Sequence, residues 1–124
     1  MAQQLDHLRT RAEFLRVVGR GQKWATPGLV IRVVRREAEH PDDAGRPRLG
    51  LIASKKVGSA VARNRVKRRL RALANELLPE HGKPGTDYVL IGRSATVERR
   101  FEELRQDLLT ALERVHKPGR GHRP

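Results

Sequence analysis

The sequence predicts an α+β fold in which three helices pack on one β-sheet, in the order α-β-β-β-α-β-α. Three segments carry apolar residues at intervals of three and four positions, which is the spacing of an amphipathic helix. Four short runs rich in Val, Ile and Leu, bounded by turn-forming residues, predict strands. The chain has 124 residues and 37% hydrophobic content, which suits one modest core, so we expect a single domain.

A helix and a hairpin are predicted in the N-terminal third. Residues 6–18, DHLRTRAEFLRVV, place several apolar side chains on one side of a helix, and Gly19 and Gly21 are expected to end it. In KWATPGLVIRVVRRE, Pro27 and Gly28 separate two extended pieces, of which the second is a β-branched run. We therefore expect two paired strands after the first helix.

Two further strands are predicted on either side of a second helix. Residues 38–47, AEHPDDAGRP, collect turn formers and acids and predict an exposed loop, and RLGLIAS, residues 48–54, predicts the third strand. A helix beginning near Ala60 leads to a second loop, PEHGKPGT, at residues 79–86. The fourth strand is DYVLIG, residues 87–92.

The last helix is predicted over residues 97–115, and its apolar stripe is typical of core scaffolding. The members of the stripe are Phe101, Leu104, Leu108, Leu109, Leu112 and Val115. The segment that follows, HKPGRGHRP at residues 116–124, is rich in Pro, Gly and basic residues. It predicts a disordered tail after a domain of residues 1–115.

The formal charge of +13 is concentrated in one segment, because residues 55–71 contain eight Lys or Arg and no Asp or Glu. Such a field predicts a polyanionic partner, with nucleic acid as the leading candidate, since Lys and Arg that neutralise phosphates release counterions. The absence of cysteine excludes disulfide scaffolds and thiolate metal sites. Neither a run of about 18 apolar residues nor the apolar region of a signal peptide is present, so we expect a soluble, cytoplasmic protein.

The basic segment predicts a helix with one apolar and one polar face. With Val66 at zero and about 100° per residue, an apolar arc from about −20° to +80° contains Leu70, Leu73, Ala74 and Leu77. The opposite side, between about 140° and 200°, carries Asn64, Arg68, Arg71 and Asn75. Charge runs are usually solvated faces, but such faces intersperse Glu at i and i+4, and here no acid appears until Glu76. The pattern therefore favours a surface that binds polyphosphate, and Asn64 indicates a hydrogen bond to a sugar or base edge.

The stretch SKKVGSAVARNRVKRRLR, residues 54–71, resembles the signature of the protein subunit of bacterial ribonuclease P. The family pattern has two lysines, a glycine and an Arg-Asn-Arg helix. It is matched here by Lys55, Lys56, Gly58, Ala60, Val61, Arg63, Asn64, Arg65, Lys67 and Arg68. The resemblance covers about residues 8–115, because FLRVVGRG, RLGLIAS and DYVLIGR are similar to the family's first helix, third strand and fourth strand.

The resemblance implies a ribosomal-protein-like fold in which a left-handed β-α-β crossover joins the third strand, the basic helix and the fourth strand. The general rule for parallel strands would have favoured the right-handed form. The resemblance also implies that the Arg-Asn-Arg helix contacts the catalytic RNA subunit. The residues at that interface would be Arg63, Asn64, Arg65, Lys67, Arg68 and Arg71.

The family's central cleft, between the first helix and the sheet, binds the single-stranded 5′ leader of precursor tRNA. The resemblance assigns this contact to Phe14, Val18, Arg32, Lys55 and Lys56. Phe14 matches a cleft aromatic, whereas Val18 and Arg32 stand where many members have aromatic residues, so two stacking platforms are missing. Arg32 could recover part of the contact by planar stacking or by binding a phosphate.

The resemblance also implies that this chain carries no catalytic side chain. In the family the RNA subunit, with bound Mg²⁺, hydrolyses precursor tRNA at its 5′ end, and the protein supplies substrate affinity and charge screening. The sequence agrees, since its five histidines are scattered and it has no D-x-D cluster. The alternatives are a ribosomal or ribosome-assembly RNA-binding protein, a basic DNA-binding module and a stand-alone nuclease. Membrane-surface binding is disfavoured, because the apolar residues of the basic run are small or aliphatic.

Overall fold

The computed structural model describes residues 5–36 and 45–116, which form one five-stranded mixed sheet and three α-helices. The strands are β1 Asp6–His7, β2 Gln22–Ala25, β3 Leu29–Arg35, β4 Arg48–Ile52 and β5 Thr86–Gly92. The helices are α1 Arg11–Arg20, α2 Ala60–His81 and α3 Phe101–Val115. Short 3₁₀ turns, Lys55–Val57 and Ser94–Val97, precede α2 and α3.

The strand order across the sheet is β1-β4-β5-β3-β2. β4 and β5 are parallel and α2 connects them, whereas β5 pairs antiparallel with β3, which forms a hairpin with β2. The predicted α+β class and the predicted hairpin are confirmed. The predicted loop at residues 38–47 lies mostly outside the described residues, as does the segment 117–124.

The sheet separates two apolar clusters, because alternate residues of each strand point to opposite faces. The larger cluster contains Ile31 and Leu90 from the sheet together with the buried residues of α2 and α3. The smaller cluster surrounds Val17 of α1 and Val89 of β5. The first helix therefore lies on the opposite face of the sheet from the basic helix.

A buried carboxylate holds α1 on the sheet. Asp87 of β5 is fully buried and accepts hydrogen bonds from Arg48 at 2.7 and 2.8 Å and from Arg36 at 2.7 Å. This hydrogen bonding to Asp87 raises the pKa of Arg48. Arg48 also bonds Glu13 of α1 at 2.9 Å, and Arg16 of α1 lies 3.7 Å from the Asp87 carboxylate. Charged groups thus fix the position of α1 over β4 and β5.

The first helix begins later than the sequence predicted. Thr10 forms a capping box, in which its hydroxyl accepts from the Glu13 N–H at 3.2 Å and Glu13 accepts from the Thr10 N–H at 2.9 Å. The preceding Asp6–His7 is not helical but pairs with β4. At the other end the helix continues through Gly19 and ends before Gly21.

The start of α2 is fixed against the sheet. A β-carbon at Gly92 of β5 would lie 2.3 Å from Cγ1 of Val66, so the close approach of α2 requires glycine there. Gly58 has a φ of 138°, a backbone conformation that residues with a side chain rarely adopt. Ser59 then caps the helix, since its hydroxyl accepts from the Ala62 N–H at 3.2 Å. These contacts hold the first turns of α2, which carry the basic residues.

Two further predictions were wrong at element ends. α2 continues through Pro79 to His81, so the second loop begins later than predicted. Because proline has no N–H, the bond from residue 79 to the carbonyl four residues earlier is missing near the end of α2. α3 begins at Phe101, which is 40% exposed and therefore not part of the core stripe. Of the predicted tail, residues 116–124, the structure describes only His116, whose Nε2 lies 2.6 Å from the Tyr88 hydroxyl.

Candidate nucleic-acid interface

The first half of α2 carries all the residues that were predicted to contact the RNA. We call this group the basic face, and its members are Arg63, Asn64, Arg65, Lys67, Arg68 and Arg71. The opposite side is buried as predicted, with Val66, Leu70, Leu73 and Ala74 at 0% exposure. Asn64, Arg68 and Arg71 are exposed, and their side chains make no hydrogen bond or ion pair to residues 5–36 or 45–116. Three of the predicted RNA contacts are thus available to a partner.

Two arginines of α2 bond to the turn before α3. Arg69 donates to the carbonyls of Thr96 at 2.7 Å and Val97 at 2.9 Å, and also to that of Arg99. Arg65 donates from Nε to the Val97 carbonyl at 2.9 Å. The sequence predicted Arg65 only as an RNA contact, but it also has this structural bond. This bond uses only Nε, so the two terminal guanidinium nitrogens of Arg65 can still bond an RNA partner.

The basic face differs in its charge balance from the rest of the described chain. Several other arginines are paired with carboxylates: Arg36 and Arg48 with Asp87, Arg99 with Asp107, and Arg105 with Glu76. Burial, and secondly the charge of Arg65, lower the pKa of Arg69, although an arginine stays protonated at neutral pH. Like charges on α2 are therefore close together without acids to offset them, which favours an anionic partner.

The second candidate surface lies on the opposite face of the sheet, under α1. Phe14 and Val18 lie one turn apart on α1, and both are half-buried. The Phe14 ring rests on Gly50 of β4, where a β-carbon would lie 2.4 Å from Phe14 Cε2. We call this apolar region the α1 surface; its half-buried members are Phe14, Val18, Val34, Ile52 and Ile91.

Arg32 of β3 faces the α1 side of the sheet, two residues before Val34. Its Nη1 donates to the Gly21 carbonyl at 3.4 Å, and its buried Nε has no hydrogen-bond partner within the described part of the chain. Lys23 of β2 is exposed directly opposite Arg32 in the hairpin. Two neighbouring cations and one unsatisfied donor favour an anion at this position.

Lys55 and Lys56 lie between β4, which carries Ile52 of the α1 surface, and the start of α2. They are exposed on the 3₁₀ turn after β4, where the Ser54 hydroxyl accepts from the Lys56 N–H at 3.3 Å. The Ser94 hydroxyl donates to the Lys56 carbonyl at 3.4 Å. Along the chain, the two lysines lie next to the basic face rather than to Phe14, Val18 or Arg32.

The described residues contain no group of three or more His, Cys, Asp or Glu side chains that could hold a metal ion. The buried carboxylates of Asp87 and Asp107 are both bonded to arginines. No helix within residues 5–36 and 45–116 is long and apolar enough to cross a membrane.

The family model of ribonuclease P matches residues 2–116, which is most of the sequence. The chain belongs to the ribonuclease P protein family. It is 48% identical over 116 residues to the ribonuclease P protein component of Paramagnetospirillum magneticum, covering 93% of this chain and 86% of that relative. The corresponding protein of Ruegeria pomeroyi is 46% identical over 112 residues, covering 90% and 86%.

Solved ribonuclease P proteins have the same fold. The protein from Thermotoga maritima matches with a TM-score of 0.72 at 25% identity, covering 90% of this chain and 99% of that one. The protein from Staphylococcus aureus matches with a TM-score of 0.70 at 25% identity, covering 90% and 97%. The chain is therefore the protein subunit of ribonuclease P, the ribonucleoprotein endonuclease that processes the 5′ end of precursor tRNA, and it associates with the ribonuclease P RNA. The identity predicted from residues 54–71 is confirmed.

Sequence reasoning missed two residues beside these surfaces. Lys23 could have been found from the hairpin register, which places it opposite Arg32. Phe101 was assigned to the core because its spacing fits the stripe of α3, and nothing in the sequence marks it as exposed.

Proposed function

We propose that the basic face of α2 binds the catalytic RNA of ribonuclease P. The observation that carries this proposal is the absence, among residues 5–36 and 45–116, of carboxylate partners for Arg68 and Arg71, whereas several other arginines there are paired with acids. Phosphates of a folded RNA would supply the missing negative charge. Asn64 lies among these cations and can both donate and accept a hydrogen bond, which suits a ribose or a base edge. Arg63, Arg65 and Lys67 complete the face.

We also propose that the α1 surface, together with Arg32, Lys55 and Lys56, holds the single-stranded leader of precursor tRNA. The half-buried ring of Phe14 offers a stacking surface, whereas Val18 offers only apolar contact. The half-buried guanidinium group of Arg32 and the adjacent charge of Lys23 would receive a leader phosphate. Lys55 and Lys56 would bind the strand further along, near the start of α2.

In this proposal the chain contributes affinity and charge screening but no catalytic side chain. Mg²⁺ is held mainly by the RNA, whose phosphate oxygens are the hard ligands that this ion prefers. The protein acts in the cytoplasm. The connection from β4 through α2 to β5 is the left-handed crossover implied by the family, within a domain of residues 1–115. The tail that follows adds a weak electrostatic contribution.

Arg68→Ala tests the RNA contact most directly, because the Arg68 side chain has no bond within the described chain. We expect the affinity for ribonuclease P RNA to fall by about 1–3 kcal/mol with an unchanged melting temperature. Arg65→Ala should lose similar affinity but also some stability, because its bond to Val97 is removed. Arg46→Ala is the matched control, since Arg46 is a half-exposed arginine that is paired with Asp6. Equal affinities for Arg68→Ala, Arg46→Ala and the wild type would refute the assignment.

The leader contact is tested by comparing precursor tRNA with mature tRNA in the assembled enzyme. Arg32→Ala should weaken the binding of precursor tRNA only, by about 1–2 kcal/mol. It should leave the fold intact, because within the described residues it removes one long hydrogen bond, of 3.4 Å to the Gly21 carbonyl, together with a buried Nε that has no partner there. Phe14→Ala should reduce the affinity for precursor tRNA by a similar amount, and it should also lower the melting temperature, because the ring packs on Gly50. Leu15→Ala, an exposed apolar residue on the same helix, is the control. Equal losses for both RNAs would remove Phe14 and Arg32 from the leader site.

A further inference from the structure

An aromatic residue lies beside the basic face. Phe101, the first residue of α3, is 40% exposed, and with Arg65, Arg68, Arg69 and Ala72 it lines an open cleft of about 330 Å³. That volume is at the small end of the range for ligand pockets, roughly 300–1,000 Å³. Ala72 is small, so α2 leaves space above the ring. The cleft therefore combines an aromatic face with guanidinium groups.

The walls of this cleft are held in place before any ligand binds. Arg69 donates to the carbonyls of Thr96, Val97 and Arg99, and Arg65 donates to that of Val97. This segment leads directly into α3, so the same bonds that hold it to α2 also set where the Phe101 ring lies. A preformed aromatic platform loses little conformational freedom when a ligand stacks on it.

The charges around the cleft favour an anionic ligand. Arg65 and Arg69 are close enough for the charge of Arg65 to lower the pKa of Arg69, as a second cause after burial. Acids are present at the start of α3, but Glu102 pairs with Arg105 at 3.7 Å and Glu103 accepts from the Arg100 N–H at 3.3 Å. Glu98 is exposed on the preceding turn. Within the cleft itself, every charged lining residue is an arginine.

We propose that this cleft takes one unstacked nucleotide of the ribonuclease P RNA, with its base on the Phe101 ring and its phosphates at Arg65 and Arg68. Single-stranded and bulged RNA is commonly recognised by this combination of aromatic stacking and cationic contacts. The proposal rests on the function proposed for the basic face, because Arg65 and Arg68 belong to both. It extends the RNA interface from α2 to the start of α3.

The test measures the affinity of full-length variants for ribonuclease P RNA, together with their melting temperatures. Phe101→Leu keeps apolar packing but removes the aromatic face, so we expect affinity to fall roughly fivefold or more while the melting temperature is retained. Phe101→Trp should bind at least as tightly as the wild type. Leu15→Ala, which removes another exposed apolar side chain, should bind normally. The slope of log affinity against log salt should stay unchanged in Phe101→Leu, because stacking releases no counterions, whereas Arg68→Ala should reduce it.

The outcomes separate this inference from the function on which it rests. Wild-type affinity in Phe101→Leu, combined with a clear loss in Arg68→Ala, overturns the stacking site and leaves the basic face intact. Wild-type affinity in both Phe101→Leu and Arg68→Ala overturns the stacking site and also the assignment of the basic face to RNA binding. If Phe101→Leu loses melting temperature and affinity together, and Phe101→Trp restores only the melting temperature, then the ring merely packs against α2 and the inference fails.

Discussion

Asp87→Ala is expected to destabilise the protein strongly, because Asp87 is a fully buried carboxylate between arginines. Removing one partner of a buried ion pair typically costs about 3–5 kcal/mol, since the other charge is left buried without compensation. We expect the lower end of that range. Arg36 keeps its bonds to the carbonyls of Arg46 at 2.9 Å and Thr86 at 3.4 Å, and Arg48 keeps its bond to Glu13. A loss of about 3 kcal/mol corresponds to roughly 12 °C in melting temperature for a domain of this size.

Thermal and urea unfolding of Asp87→Ala would measure this loss. The matched control is Asp6→Ala, because the Asp6–Arg46 pair spans 3.5 Å with both side chains about half exposed. An exposed pair contributes about 0–1 kcal/mol, so the control should unfold nearly as the wild type does. If the two variants lost equal stability, and less than about 1 kcal/mol, then the buried network would not be what holds α1 on the sheet.

Three further predictions concern salt, pH and the packing of α2. Log affinity for the ribonuclease P RNA should fall with log salt with a slope of about 4–5 for six phosphate contacts, and Arg68→Ala should reduce the slope by about 0.7–0.9; a flat titration would contradict the basic face as an RNA contact. Burial, and secondly the charge of Lys83, lower the pKa of His116 to about 4. Below about pH 6.5 the His116 side chain is therefore protonated in the unfolded chain but still neutral in the folded one. The free energy of unfolding should fall as the pH is lowered from about 6.5 to 4, by about 1–2 kcal/mol after allowing for the partial exposure of His116. In unfolding measurements across this pH range, His116→Gln should lack this loss of stability. A pH profile identical to that of the wild type would contradict the prediction. Gly92→Ala should destabilise by about 1–3 kcal/mol in urea unfolding, because its β-carbon would meet Val66 at 2.3 Å; a neutral result would mean that α2 can shift freely.

The elements that the sequence predicted well are those specified by local pattern. The β-branched run of β3 and the apolar stripe of α2 repeat with the periods of a strand and a helix, so they were recognised without knowledge of their neighbours. The basic face follows from the same period, because Asn64, Arg68 and Arg71 lie on one side of any helix that includes them. Which residues bind the RNA and the leader stays a prediction.

The features that the sequence did not predict depend on contacts between distant segments. β1 has only two residues and is a strand because β4 lies beside it. Phe101 fits the apolar spacing of α3, but it is the first residue of the helix and extends beyond the core. The bond from Arg65 to Val97 could not be foreseen, because it requires the turn before α3 to pack on α2. A charge pattern identifies an exposed face but not which of its members also support the fold.

The placement of the two candidate surfaces determines how the protein can serve a ribonucleoprotein enzyme. The basic face points away from the sheet on the side of α2 and α3, whereas the α1 surface and Arg32 lie on the other side. In the function proposed above, the enzyme's RNA and a second strand would bind at once, because the basic face and the α1 surface share no side chains. Both surfaces are on elements fixed by buried contacts, through Gly92 and Val66 for α2 and through Asp87 for α1. We therefore expect little backbone ordering on binding, so the phosphate and stacking contacts proposed above would contribute directly to affinity.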